Sequence, residues 1–118
     1  MKELSSAEKA KKIYSALDEK KAADIEIIDI RDISVIADYF IIAGGSNANQ
    51  VKALVDNVEL KLGMDGVSPG HTEGYQTANW VLMDYSDVIV HVFNNDDRRF
   101  YDLERIWRDG KFISLDEL

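Results

Sequence analysis

Gly44, Gly45 and Ser46, in the stretch YFIIAGGSNANQVKAL, are the residues of this chain best suited by type and position to phosphate chemistry. They end an apolar run and precede a helix-like pattern. A strand that turns through glycines into a helix presents backbone N–H groups where an anion could bind. The established phosphate loops are more demanding. Gly-x-x-x-x-Gly-Lys-Ser/Thr does not occur, and neither does Gly-x-Gly-x-x-Gly. What remains is a sharp turn that glycine permits, with Ser46 or Asn47 able to cap the following helix. The structural reading outweighs the phosphate-binding one.

A glycine–glycine–serine turn also begins the pattern of nucleotidyltransferases. There, a strand carrying Asp-x-Asp or Asp-x-Glu follows and holds the metals that clamp the transferring phosphates. Asp56 and Glu59 stand at a comparable distance but at the wrong spacing. They fall within VKALVDNVELKL, on the solvent side of a helical stripe. The carboxylates an active transferase needs are therefore missing. Asp84 and Asp87 could pair across a hairpin mouth, although acids beside a tight turn more often serve its hydrogen bonds. With no cysteine, a site of His71, His91 and a carboxylate is the best metal option, and a packed, hydrogen-bonded His91 is the plainer reading. No Gly-x-Ser-x-Gly elbow is present. Neither a catalytic residue nor a cofactor or metal site is expected.

The elements that must position these residues follow from composition and pattern. The 118 residues suffice for one domain, 1–118, with a sizeable core. A hydrophobic content of 46% beside 31% charged residues describes a soluble globular chain. MKELSSAEKAKK lacks a signal-peptide core and no apolar run is long enough to span a bilayer, so a cytoplasmic protein is expected. The formal net charge of −8 has the wrong sign for a generic nucleic-acid binder. It suits a basic protein partner, or solubility alone.

Ser5 to Glu8 reads as a capping box opening a helix whose apolar positions are Ala10, Ile13, Tyr14 and Leu17, ending near Lys20 or Lys21. IEIIDI, residues 25–30, reads as a strand. YFIIAG reads as a second strand, apolar on both sides and therefore central. Val51, Leu54, Val55, Val58 and Leu62 form the stripe of a second helix stopped by Gly63. GVSPGHTEG holds turns and a short edge strand. Asn95 to Asp97 offers a cap for a final helix with the stripe Phe100, Leu103 and Trp107, ended by Gly110.

WVLMDYSDVIVHVF, residues 80–93, is the strongest local signal, two β-rich runs about a Tyr85–Ser86 loop. In that register Asp84 faces Asp87, Leu82 faces Ile89 and Trp80 faces His91. Val81, Met83, Val88, Val90 and Val92 share one face, while Trp80, Leu82, Ile89, His91 and Phe93 share the other. One face covers the core. The second is buried by a helix or by a partner, and Trp80, Tyr85 and the nearby acids have the makeup of an interface anchor.

Taken in order, DYFIIAGGSNANQVKAL, HTEG, WVLMDYSDVIVHVF and RRFYDLERIW make the chain similar to the Iojap, or ribosomal silencing factor (RsfS), family from about Asp24 to Trp107. The resemblance implies an α/β fold, a single mixed sheet flanked by helices with nucleotidyltransferase-like topology, and no transferase chemistry. It implies binding to ribosomal protein fourteen of the large subunit, steric obstruction of subunit joining, and reduced translation when nutrients are scarce. Partner-facing residues carried over by position are Trp80, Met83, Asp84, Tyr85 and Asp87, with Glu73 of HTEG nearby and His91 as a further candidate. Alternation places Met83 opposite Trp80, so the two cannot anchor one flat contact. Arg98, Arg99, Arg105 and Arg108 are placed either to meet ribosomal RNA or simply in solvent. A homodimer through the second face is open. Where the family's hairpin reads Asp-Tyr-Gly-Asp, this chain has Ser86, which strains the turn if a positive φ is required there. The alternative reading is a metal-dependent nucleotidyltransferase or nucleotide-binding domain.

Overall fold

The first helix begins at the expected capping box. In a computed structural model, which describes residues 4–35, 37–94 and 110–118, the Ser5 hydroxyl accepts the Glu8 N–H and the Glu8 carboxylate accepts the Ser5 N–H, both at 3.1 Å. Two of the helix's orphan donors are thereby satisfied. Helix α1 (Ser6–Glu19) then buries Ala10, Ile13, Ala16 and Leu17. Strand β1 (Ala23–Asp29) follows and pairs antiparallel with β2 (Tyr39–Gly45), Ile27 opposite Ile41 and Ile28 opposite Phe40.

Helix α2 (Ala48–Gly63) carries the predicted stripe inward. Its buried Asn57 is satisfied, because Nδ2 donates to the Ala16 carbonyl at 2.8 Å and ties α2 to α1. Beyond it lie β3 (His71–Glu73), β4 (Trp80–Asp84), β5 (Val88–Asn94), β6 (Lys111–Ile113) and a 3₁₀ turn (Leu115–Glu117). The described residues form a six-stranded sheet in the order β3-β4-β5-β2-β1-β6. Only the central β2–β5 pair is parallel. The mixed α/β sheet is as expected. β2 is interior, in keeping with its two-sided apolar run, and β3 is an edge. Strand β6, on the other edge, had no reading in the sequence.

Alternation separates the two faces. Tyr39, Ile41, Val81, Met83, Tyr85, Val88, Val90 and Val92 join the buried residues of α1 and α2 in the main core. Ile28, Ile30, Ala37, Ile42 and Phe93 form a second cluster on the opposite face, with Phe40, Trp80 and Ile89 packed against it. The predicted division of the hairpin into two faces therefore holds.

Its register differs. Asp84 pairs with Ile89, Leu82 with His91 and Trp80 with Phe93. The loop is Ser86–Asp87 rather than Tyr85–Ser86. Ser86 adopts φ +74°, and Asp87 N–H donates to the Tyr85 carbonyl at 3.0 Å. Asp84 Oδ1 accepts Ser86 N–H at 2.8 Å. The turn closes one residue later, which moves each partner by two and preserves every side chain's face. The final helix expected from Asn95 to Gly110, with its arginines, lies largely outside the described residues.

Candidate partner-binding surface

The glycine turn resolves into packing. A Cβ at Gly45 would lie 2.8 Å from Val51 Cγ2 and 3.0 Å from Val51 N. The missing side chain thus lets β2 run close beneath α2. Asn47 Oδ1 caps α2 by accepting Gln50 N–H at 2.9 Å. The Ser46 amide and hydroxyl both donate to Gln50 Oε1, at 2.6 and 2.8 Å. Gln50 Nε2 donates in turn to the carbonyls of Lys20 and Lys21. Donors that a phosphate would use are thus directed to the chain's own groups. Asp56 and Glu59 are exposed on α2, where Asp56 accepts the Tyr75 hydroxyl at 3.0 Å. That hydrogen bond is the leading cause that raises the Tyr75 pKa.

The hairpin gathers a different set of groups. Trp80 is half-buried and stacks on Phe93, with ring centroids 5.5 Å apart. Its indole Nε1–H donates to His91 Nδ1 at 3.0 Å. A neutral imidazole that accepts at Nδ1 carries its proton on Nε2, and Nε2 is buried without a partner. Phe40 meets the same imidazole edge-on at 4.9 Å. Burial lowers the His91 pKa to about 4, because an apolar pocket disfavours the imidazolium. His91 is therefore a neutral support for Trp80, and with 4% exposure it has little surface to offer a partner. His71 stands on edge strand β3 and pairs with Glu73 at 2.9 Å, so the two histidines do not converge on one site. Among the described residues no three His, Asp or Glu side chains gather as a metal site.

Met83 and Tyr85 point to the helix side. Met83 is 0% exposed and Tyr85 2%, which removes both from the surface that a partner could touch and corrects the expectation that they face one. The reason is strand parity: both are odd-numbered residues of the run that faces the helices. Desolvation, then the charge of Glu59, pushes the Tyr85 phenol's pKa upward. Trp80, Asp84, Asp87 and Glu73 keep access to solvent. Asp84 binds the turn amide, and Asp87 holds Lys9 at 2.9 Å. Glu73 lies on the exposed edge opposite Leu82.

Phe40, Leu82 and Ile89 are half-exposed beside Trp80 on the same face. Strand alternation in the sequence set Leu82 and Ile89 on the face of Trp80, but Phe40 was not associated with it. The parallel register that sets Phe40 beside Ile89 joins distant segments, and only the period-two pattern of each strand hinted at it. Half-buried aromatic and aliphatic side chains with a rim of acids can form an apolar contact framed by charge. Among the described residues no helix is long and apolar enough to cross a membrane.

The family model for "Ribosomal silencing factor during starvation" matches residues 3–118. Ribosomal silencing factor RsfS of Bacillus subtilis is 40% identical over 102 residues, covering 86% of each chain. Protein Iojap of maize chloroplasts is 28% identical, covering 87% of this chain and 45% of that protein. Among solved structures, protein CV0518 of Chromobacterium violaceum superposes with a TM-score of 0.85 at 35% identity, covering 92% of this chain and 90% of that one. A Bacillus halodurans protein superposes with a TM-score of 0.80 at 34% identity, covering 90% and 96%. The sheet order, the hairpin and the match along nearly the whole sequence lead to one conclusion: the chain belongs to the ribosomal silencing factor (RsfS) family.

Proposed function

We propose that this protein is a non-enzymatic silencing factor that binds the large ribosomal subunit through ribosomal protein fourteen and blocks joining of the small subunit. Translation falls as a result when nutrients are scarce. The observation that carries the reading is the half-exposed patch of Trp80, Leu82, Ile89 and Phe40 on the sheet face away from α1 and α2. Asp84 and Glu73 stand at its margin, with Asp87 at the hairpin tip paired to Lys9 of α1, and an acidic rim favours a basic ribosomal protein. The net charge of −8 acts in the same direction over a longer range. Family membership supports the reading independently.

The mechanism is occupancy, so no side chain performs chemistry. Trp80 supplies the anchor, His91 and Phe93 hold its ring, and the acids steer approach. The proposal includes a cytoplasmic site of action, one domain with nucleotidyltransferase-like topology, and self-association as a second use of the apolar face. Contact of Arg98, Arg99, Arg105 and Arg108 with ribosomal RNA also belongs to it.

Co-sedimentation with purified subunits at several salt concentrations tests the proposal. Binding to large subunits, inhibition of joining and weakening with salt are expected. Normal joining at saturating protein sinks the idea. Trp80→Ala should weaken binding about tenfold or more, as expected for a central aromatic anchor. The nucleotide-binding alternative predicts heat on mixing with nucleoside triphosphate and magnesium, and calorimetry should register none.

A further inference from the structure

The loop between β1 and β2 holds two large apolar side chains in water. Ile33 is 49% exposed and Val35 fully exposed. A single exposed apolar residue is ordinary, but two within three positions at the margin of another apolar surface call for an explanation. Both stems of this loop are rooted in the second face, since Ile30 and Ala37 belong to the cluster that packs Phe40, Trp80 and Ile89. The outgoing half is fixed to the end of β1, where the N–H groups of Ile33 and Ser34 donate to the Ile30 carbonyl at 3.1 and 2.8 Å. The returning half is fixed to the hairpin tip, where Asp38 N–H donates to the Asp87 carbonyl at 2.7 Å. Loop and hairpin are thus one continuous end of the sheet.

Charge identifies the kind of surface that fits there. Arg31 is held by Asp29 at 2.7 Å and Lys9 by Asp87 at 2.9 Å. Asp32, Asp38 and Asp84 add to these paired groups and leave this end negative. We propose that Ile33 and Val35 form a second anchor of the partner surface, entering an apolar recess of a basic protein whose cations meet Asp32, Asp38 and Asp84. The inference rests on the ribosomal reading above and extends its contact from the hairpin to the β1–β2 loop. Nucleic acid and anionic membrane are disfavoured as occupants, because these carboxylates repel phosphate.

The test compares large-subunit binding by the full chain and its Ile33→Ser/Val35→Ser variant. Binding about tenfold weaker, at unchanged melting temperature, is the expected result for loss of an apolar anchor at an exposed position. Leu60→Ser/Met64→Ser, which removes exposed apolar groups from α2, should leave binding unchanged. If the loop variant melts lower than the parent, the single Val35→Ser decides by the same affinity comparison. Unchanged affinity in the loop variant, with Trp80→Ala still weakened, overturns the inference and leaves the ribosomal reading standing. Failure of the unsubstituted protein to bind large subunits overturns both. Tight binding to protein-free ribosomal RNA or to anionic vesicles, lost in the loop variant, would also overturn the protein partner.

Discussion

The two faces of the β4–β5 hairpin are built from alternate residues of the same strands, yet they serve different ends. Val81, Met83, Val88, Val90 and Val92 are all 0% exposed beneath α1 and α2. Trp80, Leu82, Asp84 and Ile89, one residue away in each case, keep contact with water. The first face is uniformly aliphatic apart from one methionine and fills a closed interior. The second mixes an indole, a neutral imidazole and a carboxylate. The difference teaches that apolar content does not separate a sealed face from a half-exposed one in a strand. Polar groups mark the difference better: the sealed face ends in the buried Tyr85 hydroxyl, whereas the other joins the Trp80 indole to His91 and carries the Asp84 carboxylate on the turn amide.

The largest effect should come from the sealed face. Met83→Ala opens a cavity in the main core and should cost about 3 kcal/mol. Equilibrium denaturation should detect this, while the folded fraction should bind large subunits normally. Weakened binding without loss of stability would break the comparison, because Met83 would then belong to the contact.

His91 sharpens the comparison through pH. Its native pKa is lowered to about 4 from 6.5 by burial, so the unfolded chain binds a proton that the native one refuses. The sign follows: His91 costs no stability above pH 6.5, and stability is lost as pH falls from there toward 4. The loss approaches about 1.4 kcal/mol per pH unit. Asp29, whose pKa is lowered chiefly by its hydrogen bond from Arg31, also loses stability in acid. The measurement is therefore the difference in melting temperature between wild type and His91→Gln across pH 7 to 4. Parallel curves would show that the imidazole is not sealed in its native site.

Gly45→Ala probes how closely the helix face packs. Its new Cβ would press on the Val51 backbone as well as its side chain, and a loss of about 2 kcal/mol is expected from overpacking. Thermal unfolding measures it. A neutral result would return the glycine turn to consideration as something other than a packing device.

The smallest effect lies at the tip that joins the faces. Ser86 holds φ +74°, where a side chain is strained. Ser86→Gly should stabilise by about 1 kcal/mol, the relief exceeding glycine's greater chain entropy in the unfolded state. The Asp84 contact is to the Ser86 backbone N–H and survives the substitution, so a lower melting temperature would show that glycine's chain entropy outweighs the strain.

Much of this was legible because it is local. The Ser5–Glu8 box, the α2 stripe and the alternation in WVLMD and VIVHVF need only periodicity and capping rules. The hairpin register was misread because Tyr85–Ser86 and Ser86–Asp87 are both plausible two-residue loops, and a φ value is not written in the residue type. Strand β6 was missed because KFI is too short to announce itself without β1 beside it. The sequence resemblance identified the family and marked the hairpin, but it did not distinguish Trp80, on an accessible face, from Met83 and Tyr85.

By itself, then, the sequence determined α1, α2 and the strands from β1 to β5, the acidic character and the family, since these depend on spacing and composition within short segments. Only tertiary structure decided which face of each strand the helices cover. It placed Phe40 beside Ile89 through a parallel pairing of distant strands, supplied His91 as hydrogen-bond partner to Trp80, and joined the Asp38 loop to the hairpin tip. Each of these depends on contacts between residues far apart in the chain. Their energies come from packing and desolvation, which no local pattern records.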